Sequence, residues 1–259
     1  MLLAADVGNT NITWGLFDGQ HLACHWRVRT DRQRTADEYA VLLDGLFRVS
    51  GQSLAAVTGL AVATVVPPLR AVFSELAARH LNCPVLFVGP DQTGGLRLDV
   101  DEPGQVGADR IANAVAAWER YRRAAIVVDF GTATNFDVIS ADGAFIGGAI
   151  APGVLVSLEA LFQRAAALPR IDLVRPPSPI GRNTVTNMQS GTVFGLAAMV
   201  DGMIQRIRAA LGDPRAPAVA TGGLAPLLAR EAAAVDEVDP LLTLQGIRII
   251  YERAAAGIC

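Results

Sequence analysis

Two short stretches of this chain carry the residue types that phosphate and metal chemistry require. Asp6-Val7-Gly8-Asn9-Thr10-Asn11 sets a carboxylate beside a glycine, two amides and a hydroxyl. Asp129-Phe130-Gly131-Thr132-Ala133-Thr134 repeats the plan: carboxylate, glycine, hydroxyls. Successive backbone N–H groups in such a turn can hold phosphate oxygens without a lysine. A glycine there admits positive φ or the close approach of a ligand. The carboxylate suits Mg²⁺, which takes one or two carboxylates and completes its shell with water and phosphate oxygens. Taken alone, the first turn could equally be an ordinary Asx-rich hairpin. A third carboxylate, Asp109 in Gly107-Ala108-Asp109-Arg110, falls in the first turn of an expected helix. It is either a charge favoured by the helix dipole or a functional group beside a glycine that lets a substrate come close. Thr221-Gly222-Gly223 lies between an apolar strand and a helix start, a common resting place for a nucleotide.

Strands and hairpins must position these groups. Apolar alternation predicts strands at about 2–8, 11–18 and 21–29, with Asp18-Gly19 as a hairpin signal. The same meander recurs at about 125–130, 133–139 and 144–151, with Asp142-Gly143 as its hairpin. Asp6 and Asp129 are 123 residues apart (129 − 6) in a chain of 259, close to half its length. The expectation is an α/β protein of two ribonuclease H-like domains, 1–117 and 118–259, clamping one nucleotide in the cleft between them. Helical periodicity marks residues 36–50, a segment opening after Pro67-Pro68, the segment from Asp109, and 154–166 and 188–211. Short strands are expected at 60–65, 85–88 and 218–220, and aperiodic loops at 92–106 and 169–179. A last helix, about 240–256, is expected to pack on the second domain. The long apolar stripe of 188–211 reads as core, with part of it available as a dimer face.

Composition narrows the chemistry. Apolar residues make up 51% and charged residues 18%, a compact globular chain with ample core. A net charge of −3 with no concentrated basic face argues against nucleic acid as the main partner. All 22 basic residues are arginine, so a Walker-type lysine, a Schiff-base lysine and a lysine general base are excluded. Cys24, Cys83 and Cys259 are odd in number and widely spaced, which fits a reducing compartment and neither a disulfide framework nor a zinc site. Strand alternation sets Cys24 on the opposite face from His21 and His25. No signal peptide or membrane span is expected, because Asp6 interrupts the apolar start and prolines and glycines break the longer apolar runs. The chain reads as cytoplasmic, with no membrane partner.

In this order and spacing, the Asp6–Thr10 and Gly107–Arg110 motifs, the Asp129–Thr134 turn, Asn183-Thr184 with Ser190-Gly191, and Thr221-Gly222-Gly223 resemble the type III pantothenate kinases. These are a branch of the acetate and sugar kinase/Hsp70/actin superfamily, and the resemblance covers essentially the whole chain. It implies ATP-dependent phosphorylation of pantothenate to 4'-phosphopantothenate, the first step towards coenzyme A. It implies Asp109 as general base, and Gly107, Ala108, Asp109, Arg110 and Thr184 around pantothenate. Asp6, Val7, Gly8, Asn9, Thr10, Asn11, Ile12, Thr13 and Thr132 would hold ATP. Asp6 would organise Mg²⁺, Asp129 would take a monovalent cation (K⁺ or NH4⁺), and a homodimer would share the substrate pocket. Where many members carry a tyrosine in the substrate loop, this chain has Val100, followed by Asp101-Glu102-Pro103. Other readings of the residues are a different small-metabolite kinase on the same fold, a non-catalytic ATP-binding regulator, or an assembly ATPase. Against the last, this chain lacks the extra subdomain length and peptide-binding region that such proteins carry.

Overall fold

Period-2 burial builds the first sheet. A computed structural model describes residues 1–257, so Cys259 lies outside the described residues. Leu3, Ala5 and Val7 of β1 (Leu2–Val7) and Ile12, Trp14 and Leu16 of β2 (Asn11–Asp18) enter one core. Leu60 and Val62 of β4 (Gly59–Thr64) join them. With β3 (His21–Arg29) and β5 (Val85–Phe87) the strand order is β3-β2-β1-β4-β5. The first three strands form an antiparallel meander, and β4 and β5 then run parallel to β1.

One face of this sheet is covered by α1 (Ala36–Val49) and α2 (Leu69–Leu76), whose Tyr39, Leu43, Phe47, Leu69, Phe73 and Leu76 are fully buried. Thr35 starts α1 with a capping box closed by Glu38, which satisfies two otherwise orphaned N–H groups. The segment expected to be an aperiodic loop holds a two-residue strand, β6 (Arg97–Leu98), and a 3₁₀ turn, Pro103–Gln105, before α3 (Ala108–Tyr121) begins.

The second sheet has the topology of the first. Its strands are β7 (Ala125–Phe130), β8 (Ala133–Ile139), β9 (Ala144–Pro152), β10 (Ala218–Thr221) and β11 (Glu237–Val238). They run in the order β11-β10-β7-β8-β9, an antiparallel meander extended by two parallel strands. Ile126, Val128 and Phe130 alternate into a core with Ala218 and Ala220, against Ala197, Val200 and Ile204 of α5 (Thr184–Leu211). Helices α4 (Val154–Arg164) and α6 (Ala225–Leu228) complete the layer. α5 begins four residues before the expected 188, because Asn183 caps it in a box with Thr186. At the far end of the sheet, Arg120 of α3 pairs with Glu237 at 2.7 Å and with Asp239, fastening β11 to the helix.

The chain divides into two compact units. One combines the residues up to Ala116 with the segment from Leu242 onward; the other is Ala117–Leu241. The final helix, α7 (Leu242–Ala255), therefore packs with the first sheet and not, as expected, with the second. Small residues explain the choice. A Cβ on Gly15 of β2 would lie 2.9 Å from Leu244 Cδ1, and one on Gly59 of β4 would lie 2.0 Å from the Tyr251 hydroxyl. Gly246 of α7 in turn rests against Ala112 of α3, where a Cβ would lie 1.9 Å from the backbone oxygen. Thr243 donates a buried 2.8 Å hydrogen bond to Asn113 Oδ1 beside this contact.

A β-bulge corrects one further expectation. Cys24 pairs with Leu16 and His21 with Asp18, so one extra residue in β3 returns His21 to the Cys24 side of the sheet. No cluster of three or more metal-ligating side chains occurs among the described residues, there or elsewhere. No described helix is long and apolar enough to cross a membrane.

Candidate active site

In the first unit the chemistry gathers where β1 ends. Asp6 is half-buried near the end of the strand, paired with Thr13 on β2 and Ala63 on β4. The turn that follows is closed by Gly8 N–H donating to the Asn11 carbonyl at 3.0 Å. Gly8 does not adopt positive φ. Close approach is what the position needs: a Cβ would sit 3.1 Å from the Asn11 oxygen. Val7 and Ile12 are fully buried in the core, so they can offer a ligand only their backbones. Asn9 and Thr10 are exposed at the tip, with Asn11 and Thr13 half-buried behind them.

A second strand exit holds this turn in place. Thr30 Oγ1 donates to the Gly8 carbonyl at 2.6 Å, and Thr30 N–H donates to the Thr10 carbonyl at 3.0 Å. Arg32 Nη2 donates to Asn9 Oδ1 at 2.9 Å. The sequence reading missed this buttress, since residues 30–35 show neither strand nor helix period. Its one local signal is an arginine just past a strand that pairs with the turn.

Asp109 occupies the first turn of α3, in the same unit. Its Oδ1 accepts the Arg110 N–H at 2.9 Å, and a Cβ on Gly107 would lie 2.6 Å from that oxygen. Gly107 is therefore a glycine so that the carboxylate can fold back over the backbone. Burial raises the Asp109 pKa above the usual carboxylate range, outweighing the Arg110 N–H and the Arg110 charge, which lower it. Such a group is a stronger proton acceptor than an exposed aspartate. Ala108 is buried and Arg110 half-buried beside it.

In the second unit Asp129 holds the place on β7 that Asp6 holds on β1, paired with Asn135 on β8 and Thr221 on β10. Gly222 has φ +92°, and a Cβ there would lie 2.5 Å from Asp129 Oδ1 and 2.7 Å from the Phe130 carbonyl. Two oxygens thus converge over a bare glycine, next to a Thr221 hydroxyl that is buried and has no hydrogen-bond partner among the described residues. Thr132 is exposed at the tip of the adjoining turn. That turn leans on Gly153, the N-cap of α4, where a Cβ would meet the Thr132 carbonyl at 2.1 Å. Thr184 is exposed as the first residue of α5.

Each unit thus places an aspartate at the end of its first strand and a polar turn just beyond it. A family model described as type III pantothenate kinase matches residues 2–206. The chain belongs to the type III pantothenate kinase family. It is 52% identical to the type III pantothenate kinase of Moorella thermoacetica, over 98% of this chain and 99% of that protein. Among solved structures it is similar to one described as a Baf family transcriptional activator from Campylobacter jejuni, with a TM-score of 0.61, 18% identity and coverage of 98% and 99%. A second, described as an N-acetylmannosamine kinase from Listeria monocytogenes, aligns at a TM-score of 0.51 and 13% identity, over 99% of each chain. At those identities the likeness concerns the fold alone, the actin-like ATPase fold of two ribonuclease H-like domains. In this pantothenate kinase family member, Asp6, Gly8, Asn9, Thr10, Asn11 and Thr13 form one local group, and Gly107, Ala108, Asp109 and Arg110 another. Asp129 and Thr132 belong to one strand and its turn, while Thr184 stands at the head of α5. The residues that sequence reasoning overlooked are the supports: Thr30, Arg32 and Gly153.

Proposed function

We propose that this chain transfers the γ-phosphoryl group of ATP to the primary hydroxyl of pantothenate, giving ADP and 4'-phosphopantothenate in the first step of coenzyme A biosynthesis. The observation that carries the reading is the desolvated Asp109 carboxylate behind Gly107, in a chain of this family. The backbone N–H groups and side chains of Asp6–Thr13, with the Thr132 hydroxyl, bind the ATP phosphates. Gly107, Ala108 and Arg110, with Thr184, hold pantothenate, and the Arg110 guanidinium supplies a positive charge for its carboxylate. Asp109 accepts the hydroxyl proton. The alcohol oxygen forms its bond to phosphorus, the bond from phosphorus to the bridging oxygen breaks, and ADP leaves with that electron pair. In a loose transition state the hydroxyl becomes acidic late, so an ionised carboxylate whose pKa burial raises is a competent acceptor.

The donor sets fit the ions that the family implies. The Asp6 carboxylate, outside any cluster of three or more metal-ligating side chains among the described residues, suits Mg²⁺, which keeps most of its shell for water and phosphate oxygens. The Asp129 carboxylate and Phe130 carbonyl beside bare Gly222 offer oxygen donors to a monovalent cation such as K⁺. When bound, these ions neutralise phosphate charge in a chain that has no lysine to do so. We further propose a cytoplasmic homodimer. Ile150 on β9 and Leu155, Val156 and Leu161 on α4 are 66, 58, 48 and 43% exposed, a run of apolar side chains suited to a second copy.

The test is a coupled assay of ADP release with Mg·ATP, with and without potassium, across pantothenate and a panel of other small hydroxyl and carboxylate acceptors. ADP release that depends on pantothenate supports the reading. Release driven only by another acceptor would replace it with a different metabolite kinase on this fold, and ATP binding without release would make the chain a regulator.

A further inference from the structure

A triphosphate brings several negative charges to a site, and this chain has no lysine to meet them. Arginines line the first turn instead. Arg27 pairs with Thr13 and Arg29 with Asn11 across β2 and β3, while Thr13 pairs with Asp6. Directly paired residues share a sheet face, so both guanidinium groups stand on the face that carries Asp6, Asn11 and Thr13. Both are exposed. Arg32 comes closest to the tip, because Thr30 ties the strand exit to Gly8 and Thr10 and delivers the Arg32 guanidinium to Asn9. Nearby Asp31 is turned to its own loop, its Oδ1 accepting from Gln33 N–H at 2.9 Å.

The Arg32–Asn9 contact has a chemical direction. Guanidinium is donor-only, so it must face the amide oxygen of Asn9, and the two N–H donors of that amide stay unspent. Asn9 is the one hydrogen-bond partner of Arg32 among the described residues, which leaves most of its five donors at the exposed rim of the turn. We propose that Arg32 is a nucleotide-binding residue that meets the triphosphate at this rim and sets Asn9 with its amide donors towards the phosphates. It carries the positive charge that an ammonium group carries in Walker-type sites. This rests on the reading that the Asp6–Thr13 turn holds the ATP phosphates.

The test is titration of the full-length protein and its variants with Mg·ATP and, separately, with adenosine. Arg32→Gln should weaken Mg·ATP about tenfold, the lower end for a charge-assisted hydrogen bond at an exposed site, and leave adenosine unchanged. The deficit should shrink at high salt, where exposed charges are screened. Arg32→Lys should recover most of the affinity. An unchanged Mg·ATP affinity in Arg32→Gln, or equal weakening of ATP and adenosine, overturns the assignment. Asn9→Ala and Thr10→Ala separate the two levels of the argument. If neither weakens ATP, the reading of the turn itself fails; if both do while Arg32→Gln does not, only the role of Arg32 fails.

Discussion

Replacing Asp109 by asparagine separates what the carboxylate does from what it costs. Asparagine keeps the shape and keeps an oxygen for the Arg110 N–H that now donates at 2.9 Å, so the start of α3 retains its local hydrogen bond. The substitution removes only the proton acceptor. A positioned general base is worth ~10²–10⁴-fold in rate, or about 3–5 kcal/mol of barrier, and kcat should fall by that much while ATP affinity stays unchanged. Stability should move the other way. Burial raises the folded-state pKa of Asp109 above its ordinary value, so the native state binds the proton more readily than the unfolded chain does. Below the unfolded value, about 3.9, both states are protonated and the burial carries no charge penalty. As pH rises through the window between the unfolded and the raised folded value, the native state loses stability. Once the carboxylate is ionised the wild type bears that penalty and the asparagine variant does not. Thermal melts should therefore show Asp109→Asn gaining on wild type as pH rises, with the gap closing in acid. Steady-state kinetics should show the acid limb of the wild-type pH profile above the usual carboxylate range, because the base must be ionised to work. Near-normal turnover in Asp109→Asn would refute the assignment. Lost turnover with a stability difference that does not grow with pH would refute the desolvation argument.

Three other perturbations test separate parts of the molecule. Gly222→Ala puts a Cβ 2.5 Å from Asp129 Oδ1 at a backbone φ of +92°, and the ratio of rates with and without potassium should collapse towards one; an unchanged ratio would remove Asp129 from cation binding. Gly246→Ala drives a Cβ to 1.9 Å from the Ala112 carbonyl, where backbone meets backbone, and urea denaturation should show a loss of about 1–3 kcal/mol or more. Leu155→Asp charges an apolar face that is 58% exposed at that position, and light scattering should find the variant monomeric where the wild type is dimeric; equal masses would move the dimer face elsewhere.

The repeated half of the architecture could be read in the sequence because its signals are local. Asp-x-Gly after an apolar strand and an Asp-Gly hairpin one strand later depend on residues that touch one another, and the two copies appear at nearly the same spacing, Asp6 to Asp18 and Asp129 to Asp142. The five-strand order that the two sheets share, a meander extended by two parallel strands, follows from them. The placement of α7 could not be read this way, because its apolar stripe through Leu244, Ile247 and Ile250 would serve under either sheet. What decides it is the absence of side chains at Gly15 and Gly59, which opens the first sheet to Leu244 and Tyr251. The bulge that turns His21 to the side of Cys24 is hidden for a related reason: period-2 counting assumes an unbroken ladder, and one extra residue inverts the result.

The same limit applies to the site. Asp6, Asp109 and Asp129 announce themselves by residue type and spacing, whereas Thr30 and Arg32 act through a tertiary meeting of two loops more than 20 residues apart in sequence. That meeting has a consequence for how the turn works. Gly8, Asn9 and Thr10 are each held by a group from the β3 exit: Gly8 and Thr10 through their carbonyls, Asn9 through its side-chain oxygen. Every one of those contacts consumes an acceptor of the turn, and the one to Asn9 leaves the N–H donors of its side-chain amide unspent. A turn whose acceptors are spent in this way presents less negative charge to an anion before any ligand arrives, which is the bias that the proposed phosphate-binding role asks of a loop with no lysine.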